Sequence, residues 1–145
     1  MLKCIEDEIL NENTLKLIEK LHKGKIVNVK RHVKLEKLEC DAVAVLKLQK
    51  IKRTVGFELK IGDLAKVLEQ SFVRKHFFDY MYAICKTDLP LYDVLNWLNN
   101  AGLLKRIFDE KIGLILTDSY LVISKAKYNH NKITLDNITR LKEGK

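Results

Sequence analysis

Cysteine and histidine, the residue types that would identify a zinc site, are scarce in this sequence. Cysteine occurs only three times, at positions 4, 40 and 85, histidine occurs four times, and neither set has the spacing of a zinc site. An odd number of cysteines in a chain rich in lysine and glutamate indicates a reducing cytosol. No apolar run reaches transmembrane length, and no signal peptide opens the chain. We therefore expect a cytoplasmic protein without a membrane partner.

The catalytic motifs of several large enzyme classes are also missing. The sequence contains no glycine-rich phosphate loop, no Rossmann fingerprint and no Gly-x-Ser-x-Gly elbow. Cys85 lies at the end of an apolar segment, where a core residue is a better interpretation than a nucleophile. A serine or cysteine hydrolase therefore lacks support.

What the sequence has in excess is positive charge. Its 27 lysines and arginines outnumber 19 aspartates and glutamates, which gives a net charge of +8. An excess of this size suggests a polyanionic partner, nucleic acid before membrane, although charge that only maintains solubility would look the same. Hydrophobic residues make up 47% of the 145 residues. We expect one globular domain over 1–145, with a polar, basic tail at about 127–145.

Hydrophobic periodicity predicts an α/β fold. Asp63 is a good N-cap for the second helix, and Gly24 fits the end of the first. The predicted order is αβββαβ followed by a C-terminal helix and hairpin, with a mixed sheet flanked by helices. We predict helices over 11–22, 62–79 and 91–101, and strands over 25–33, 38–45, 54–60, 80–85, 103–108, 112–116 and 120–126.

The most informative residues lie in the second and third predicted strands. Glu58 and Lys60 share one face, because side chains alternate along a strand, and Asp41 joins them if the two strands are antiparallel in suitable register. Two carboxylates suit Mg²⁺, which lowers the pKa of a bound water and offsets charge on a phosphoryl group. A nearby lysine can orient the water or hold a phosphate oxygen. A surface ion pair would also account for Glu-x-Lys in this composition.

The sequence resembles the PD-(D/E)xK nuclease superfamily at Asp41, at the run Glu58-Leu59-Lys60 and in the following helix, which carries Gln70. That superfamily includes many restriction enzymes and the archaeal Holliday-junction resolvases. The resemblance covers roughly residues 8–117. It implies a restriction-endonuclease-like core, with Asp41 and Glu58 as ligands of Mg²⁺ or of Mn²⁺ in its place. Lys60 would be the catalytic lysine, and Gln70 would occupy a polar helix position of the site. Cys40 stands where a proline often precedes the aspartate.

The resemblance also directs attention to a glutamate of the first helix. Related nucleases often present such a residue to the metal, and Glu12 is the better match here than Glu19. A solvated helix glutamate is the alternative interpretation. Glu39 could be an extra acidic ligand or the partner of a lysine, and His32 could contact phosphate or simply be exposed.

Basic residues near these strands are candidates for binding the nucleic-acid backbone, because lysine and arginine neutralise phosphates. On the second helix, Lys66, Gln70 and Arg74 repeat every four residues, so this row faces either the substrate or the solvent. The candidates are Lys47, Lys50, Lys52 and Arg53 of the strand connector, with Lys66 and Arg74 of the helix.

We therefore expect a metal-dependent nuclease that hydrolyses phosphodiester bonds in DNA. One alternative is a nucleic-acid-binding protein that has the same fold without the chemistry. Another is a winged-helix DNA-binding module formed by residues 88–126. The form of the substrate, endo or exo action, sequence specificity and oligomeric state stay open, and a homodimer is among the possibilities because small nucleases of this superfamily often dimerise.

Overall fold

The structure is a computed structural model that describes residues 5–130 and 132–133. Its strands are β1 (Lys25–Leu35), β2 (Leu38–Lys47), β3 (Lys52–Ile61), β4 (Tyr80–Lys86), β5 (Ile112–Leu116) and β6 (Leu121–Ser124). Its α-helices are α1 (Glu12–His22), α2 (Leu64–Arg74), α3 (Leu91–Asn100) and α4 (Leu103–Asp109). Short 3-10 helices cover Ile5–Ile9 and Lys75–Phe77. None of the described helices is long and apolar enough to cross a membrane.

The strands form one mixed sheet in the order β1-β2-β3-β4-β5-β6, so every strand lies beside its neighbours in the chain. The pairs β1–β2, β2–β3 and β5–β6 are antiparallel, whereas β3–β4 and β4–β5 are parallel. Parallel neighbours need a crossover connection, and α2 provides one while α3 and α4 provide the other. The predicted mixed sheet flanked by helices is confirmed.

Each face of the sheet packs against its own set of helices. Val55, Phe57 and Leu59 of β3 belong to the apolar cluster that contains Ile18 of α1. The cluster on the other side contains the buried residues of α2, α3 and α4. Because side chains alternate along a strand, the even-numbered residues of β3, among them Glu58, lie on the α2 side.

Helix α2 begins as predicted and ends earlier. The Asp63 side chain accepts a hydrogen bond from the Lys66 N–H at 3.0 Å, which confirms the N-cap. The predicted helix extended to residue 79, but α2 ends at Arg74 and a 3-10 turn follows. The reason is the pair Phe77 and Phe78, which are both buried and draw the chain down onto the sheet ahead of β4.

The strand predicted over 103–108 is wrong, since this segment is helix α4. Its apolar residues are Leu103, Leu104, Ile107 and Phe108. The spacing of the first three also fits one face of a helix, and only Ile107 is fully buried. Ion pairs between residues four apart stabilise the helix, for example Lys105 with Asp109 at 2.7 Å. Gly102, at φ 72°, separates α3 from α4.

The C-terminal hairpin is β5–β6, and β5 also pairs with β4 inside the main sheet. Residues 88–126 therefore do not form a separate helix-and-wing unit, which contradicts the winged-helix alternative. In the predicted basic tail, residues 127–130 and 132–133 have neither helix nor strand. Cys4 and the rest of that tail lie outside the described residues.

Candidate active site

The candidate site forms where β2 and β3 separate. The two strands pair from Lys47↔Lys52 to Ala42↔Phe57. Beyond this point β2 continues beside β1 as far as Leu35↔Leu38, and β3 continues beside β4 as far as Ile61↔Lys86. Asp41 and Glu58 are the first residues past the last β2–β3 pair, so their side chains lie in the opening of the fork.

Both carboxylates are held by backbone N–H groups of the opposite strand. The Asp41 N–H donates to Glu58 Oε2 at 3.0 Å, and the Leu59 N–H donates to Asp41 Oδ2 at 2.8 Å. These bonds replace the strand-to-strand bonds that end at the fork, and a buried N–H group needs such a partner. The antiparallel arrangement that the sequence required for Asp41 is present, and it places the two acids side by side.

Burial and mutual repulsion shift the ionisation of this pair. Glu58 is 1% exposed, and burial raises its pKa to about 7, with a further increase from the negative charge of Asp41. Burial also raises the pKa of Asp41, although the bond from the Leu59 N–H opposes the shift. Two adjacent carboxylates of this kind hold a proton or attract a cation, because both cannot be charged without cost.

Lys60 lies two residues along β3 from Glu58 and is half-buried. Its Nζ is 3.7 Å from Glu6 Oε2. Its positive charge lowers the pKa of Asp41, so the ammonium group is close enough to act on the acid pair. The side chain is 23% exposed, which leaves the ammonium accessible to a bound substrate.

The N-terminal glutamate beside the site is Glu6, and not Glu12. The Glu12 side chain is 80% exposed and pairs with Lys16 at 3.2 Å on the first turn of α1. Glu6 belongs to the preceding 3-10 helix, where its Oε2 accepts a hydrogen bond from the Ile61 N–H at 3.3 Å. The charge of Glu6 raises the pKa of Asp41, so it is electrostatically part of the site. The acidic run of residues 6–8, ahead of a predicted helix, was the available signal.

The second helix contributes Arg74 to the site. Arg74 Nε donates to the Glu39 carbonyl at 2.8 Å and lies 3.6 Å from Glu58 Oε2. Its side chain is only 13% exposed, so it neutralises Glu58 and is poorly placed to bind a nucleic-acid backbone. Gln70, the expected helix residue of the site, is half-buried and accepts from Arg74 through its backbone carbonyl at 3.3 Å.

His32 connects two acids at the rim of the site. It lies 3.2 Å from Asp7 and 3.6 Å from Glu39, and its hydrogen bond with Asp7 raises its pKa. The expectation for Glu39 was a metal ligand or a lysine partner, and it pairs with this histidine instead. The positive charge of His32 also lowers the pKa of Asp41.

The predicted connector of basic residues is distant from the carboxylates. Lys47 ends β2, roughly 20 Å along the strand from Asp41 at about 3.3 Å per residue. Arg53 donates to the Tyr80 hydroxyl at 2.7 Å and its guanidinium lies 3.9 Å from the centre of the Tyr128 ring. At the carboxylate end of the sheet, the exposed basic side chains include Lys34, Lys37, Lys66 and Lys86.

The residues suited to a metal ion are Asp41 and Glu58. Within residues 5–130 and 132–133, no three or more His, Cys, Asp or Glu side chains form a preformed metal site. A pair of carboxylates nevertheless fits Mg²⁺, which commonly binds one or two protein carboxylates and takes its other ligands from water and substrate phosphate. The observation that favours a cation here is the placement of the two carboxylates side by side, each bound by a backbone N–H of the opposite strand.

In comparisons with known proteins, no family model matches this chain, and no curated protein or solved structure matches it either. The function of the site is therefore inferred from its own residues.

Proposed function

We propose that this protein is a metal-dependent nuclease that hydrolyses phosphodiester bonds in DNA, and that its core is restriction-endonuclease-like. The observation that carries the proposal is the carboxylate pair Asp41 and Glu58, held by reciprocal backbone bonds in the β2–β3 fork with Lys60 beside it. The resemblance of these three residues to the PD-(D/E)xK superfamily supports the same chemistry. The net charge of +8 supports a polyanionic substrate.

Each residue has a separate task in this proposal. Asp41 and Glu58 hold Mg²⁺, or Mn²⁺ in its place, and the bound metal supplies Lewis-acid stabilisation and a water of lowered pKa. Lys60 orients the attacking water or holds a non-bridging phosphate oxygen. Arg74 offsets the charge of Glu58 from the helix side and lowers the pKa of that carboxylate, which opposes the increase that burial causes.

The decisive experiment is a cleavage assay on labelled duplex, branched and single-stranded DNA with Mg²⁺, Mn²⁺ or EDTA. Asp41→Ala and Glu58→Ala should each abolish cleavage, because each removes one of the two metal ligands, while DNA binding by lysine and arginine persists. Glu12→Ala is the matched control, since Glu12 is an exposed glutamate outside the site. Cleavage at the wild-type rate by either site variant would contradict the assignment.

The second candidate is a nucleic-acid-binding protein without catalytic activity. One feature favours it: Glu58 already has Arg74 at 3.6 Å, and a cation in this position can replace the metal as the partner of the carboxylate. DNA binding that is unaffected by metal, with no cleavage under any of the conditions above, would establish this candidate and exclude the nuclease.

The proposal places the reaction in the cytoplasm, in agreement with the cysteine usage. A homodimer would bring two such sites to two strands of one duplex. Sedimentation of the protein alone and with duplex DNA measures this directly.

A further inference from the structure

A pocket of about 490 Å³ lies at the carboxyl ends of the three parallel strands. Ile61 and Lys86, the last residues of β3 and β4, line it, together with Thr117, which follows β5. Ligands of open α/β sheets bind outside the carboxyl ends of the strands, and the volume is within the usual range for a small-molecule site. No residue of the carboxylate pair lines it, so it is distinct from the metal site.

The pocket adjoins the candidate active site through Glu6 and the end of β3. Glu6 Oε2 accepts a hydrogen bond from the Ile61 N–H at 3.3 Å and lies 3.7 Å from Lys60 Nζ. Ile61 lines the pocket, whereas Lys60, its neighbour in the chain, faces the acid pair. A phosphate bound at Lys60 would therefore lie one residue along β3 from the pocket lining.

An aromatic ring is fixed in the wall of the pocket. Tyr120 is 38% exposed and has φ 51°, a conformation that bulky residues rarely adopt. Its hydroxyl is bonded to the Asn11 side chain, at 3.3 Å from Nδ2 and 3.4 Å from Oδ1. Tyr120 is the last residue of the turn between β5 and β6, in which its N–H donates to the Thr117 carbonyl at 3.3 Å. The turn fixes the backbone of Tyr120 and Asn11 binds its hydroxyl, so the ring is held at the rim of the pocket.

The lining has more carboxylates than ammonium groups, which disfavours a phosphate group inside the pocket. Glu8 and Asp118 contribute carboxylates, and Lys86 is the ammonium group in the lining. Carboxylates accept hydrogen bonds from amino and imino N–H groups, and the Tyr120 ring offers a stacking surface. A nucleobase has both a flat face and N–H donors on its Watson–Crick edge, and enzymes read unstacked bases in this way.

We propose that this pocket receives one unstacked nucleobase of the substrate, beside the phosphodiester held by Asp41, Glu58 and Lys60. The base stacks on Tyr120, its N–H groups donate to Asp118, and Lys86 contacts the attached phosphate. Guanine is preferred, because it presents an imino and an amino donor together. This proposal rests on the proposed nuclease function for its substrate class, but it is tested by binding alone.

The test is equilibrium binding of a short single-stranded DNA in EDTA, so that no cleavage occurs. An abasic site is introduced at each position in turn, and the position with the largest loss of affinity identifies the base in the pocket. Tyr120→Leu should lose roughly 5- to 150-fold in affinity for the intact strand, the range for one base–aromatic stack. It should lose almost nothing for the strand that is abasic at that position. Tyr92→Leu is the control, since Tyr92 is 76% exposed on α3, outside the pocket.

Asp118→Ala should remove the preference for guanine over inosine, which lacks the amino group, at the identified position. If the loss caused by Tyr120→Leu is equal for intact and abasic strands, or if Tyr92→Leu weakens binding as much, the pocket proposal is wrong. Thermal melting of each variant confirms that it is folded. If Tyr120→Leu loses affinity only for the strand that keeps the identified base, and the wild type cleaves no DNA, the nuclease is refuted and the base pocket stands. If the wild type cleaves DNA but Tyr120→Leu loses affinity equally for both strands, the base pocket is refuted and the nuclease stands.

Discussion

Lys60 is the residue that separates a nuclease from an inactive binder. If its ammonium group acts in the transition state, Lys60→Ala should lower kcat far more than it raises KM. Metal affinity should persist or improve, because the variant removes one positive charge near Asp41. Lys60→Arg should restore little activity, since a planar guanidinium does not reproduce a compact ammonium.

Single-turnover cleavage and metal titration measure these effects, with Lys16→Ala as the control because Lys16 pairs with Glu12 on α1. Wild-type turnover in Lys60→Ala would exclude a catalytic role for Lys60 even if the protein cleaves DNA.

Glu58 predicts a dependence of stability on pH. Its pKa is about 7 in the folded protein, against an ordinary value of 4.5. The folded state therefore binds more protons than the unfolded state between these values, and the free energy of unfolding should fall as the pH rises from about 4.5 to 7 in EDTA. Glu58→Gln should lose this slope, and Mg²⁺ should oppose it in the wild type. Urea unfolding at a series of pH values measures it, and equal slopes in both proteins would contradict the assignment.

At the residue scale, sequence reasoning found the parts of the site that depend on local periodicity. Glu58 and Lys60 share a face because they are two residues apart on one strand, and Asp41 needed only an antiparallel neighbour. Glu6 was not found, and Arg74 was expected to bind the nucleic-acid backbone and not to pair with Glu58, because both positions depend on how a 3-10 helix and the end of α2 pack against the sheet. No local pattern specifies those distances.

At the scale of elements, β3 is constrained by the turn that follows α2. A Cβ atom on Gly56 would lie 2.3 Å from the ring of Phe78. The absence of a side chain at position 56 therefore leaves the space in which this ring packs against the sheet. Gly56→Ala should destabilise the fold by about 1–3 kcal/mol, as overpacking does. In a Phe78→Leu background the penalty should be smaller, because the ring edge is gone. Urea unfolding of the four proteins gives both values, and an unchanged penalty would mean that the contact is relieved elsewhere.

The strands β1 to β6 were predictable because each is a run of alternating or continuous apolar residues between turn signals. Helix α4 was not predictable on the same grounds. Leu103, Leu104 and Ile107 occur in a segment too short for periodicity to distinguish a helix from a strand. Its ion pairs and its packing against the main sheet decide the outcome, and both depend on the surrounding fold.

At the scale of the whole molecule, the two ends of the sheet differ in what their positive charge can do. Lys47, Lys50 and Lys52 lie around the β2–β3 connector, at the end away from the acid pair. Lys34, Lys37 and Lys66 are exposed at the carboxylate end. The composition gives the total charge, but only the direction of β2 and β3 shows which lysines share an end with Asp41. If the proposed function is correct, DNA at the site lies against the second group.

This difference can be tested with two triple variants that remove equal charge. Replacing Lys34, Lys37 and Lys66 by alanine should weaken DNA binding and reduce the slope of log affinity against log salt by up to about 2.7, since each lost phosphate contact removes about 0.9. Replacing Lys47, Lys50 and Lys52 should leave the slope and the cleavage rate near those of the wild type. Fluorescence anisotropy across a salt series measures both variants on the same duplex. A flattened slope in the connector variant alone would place the DNA on the far end of the sheet, away from the carboxylates, and would contradict the nuclease proposal as well as the binding surface.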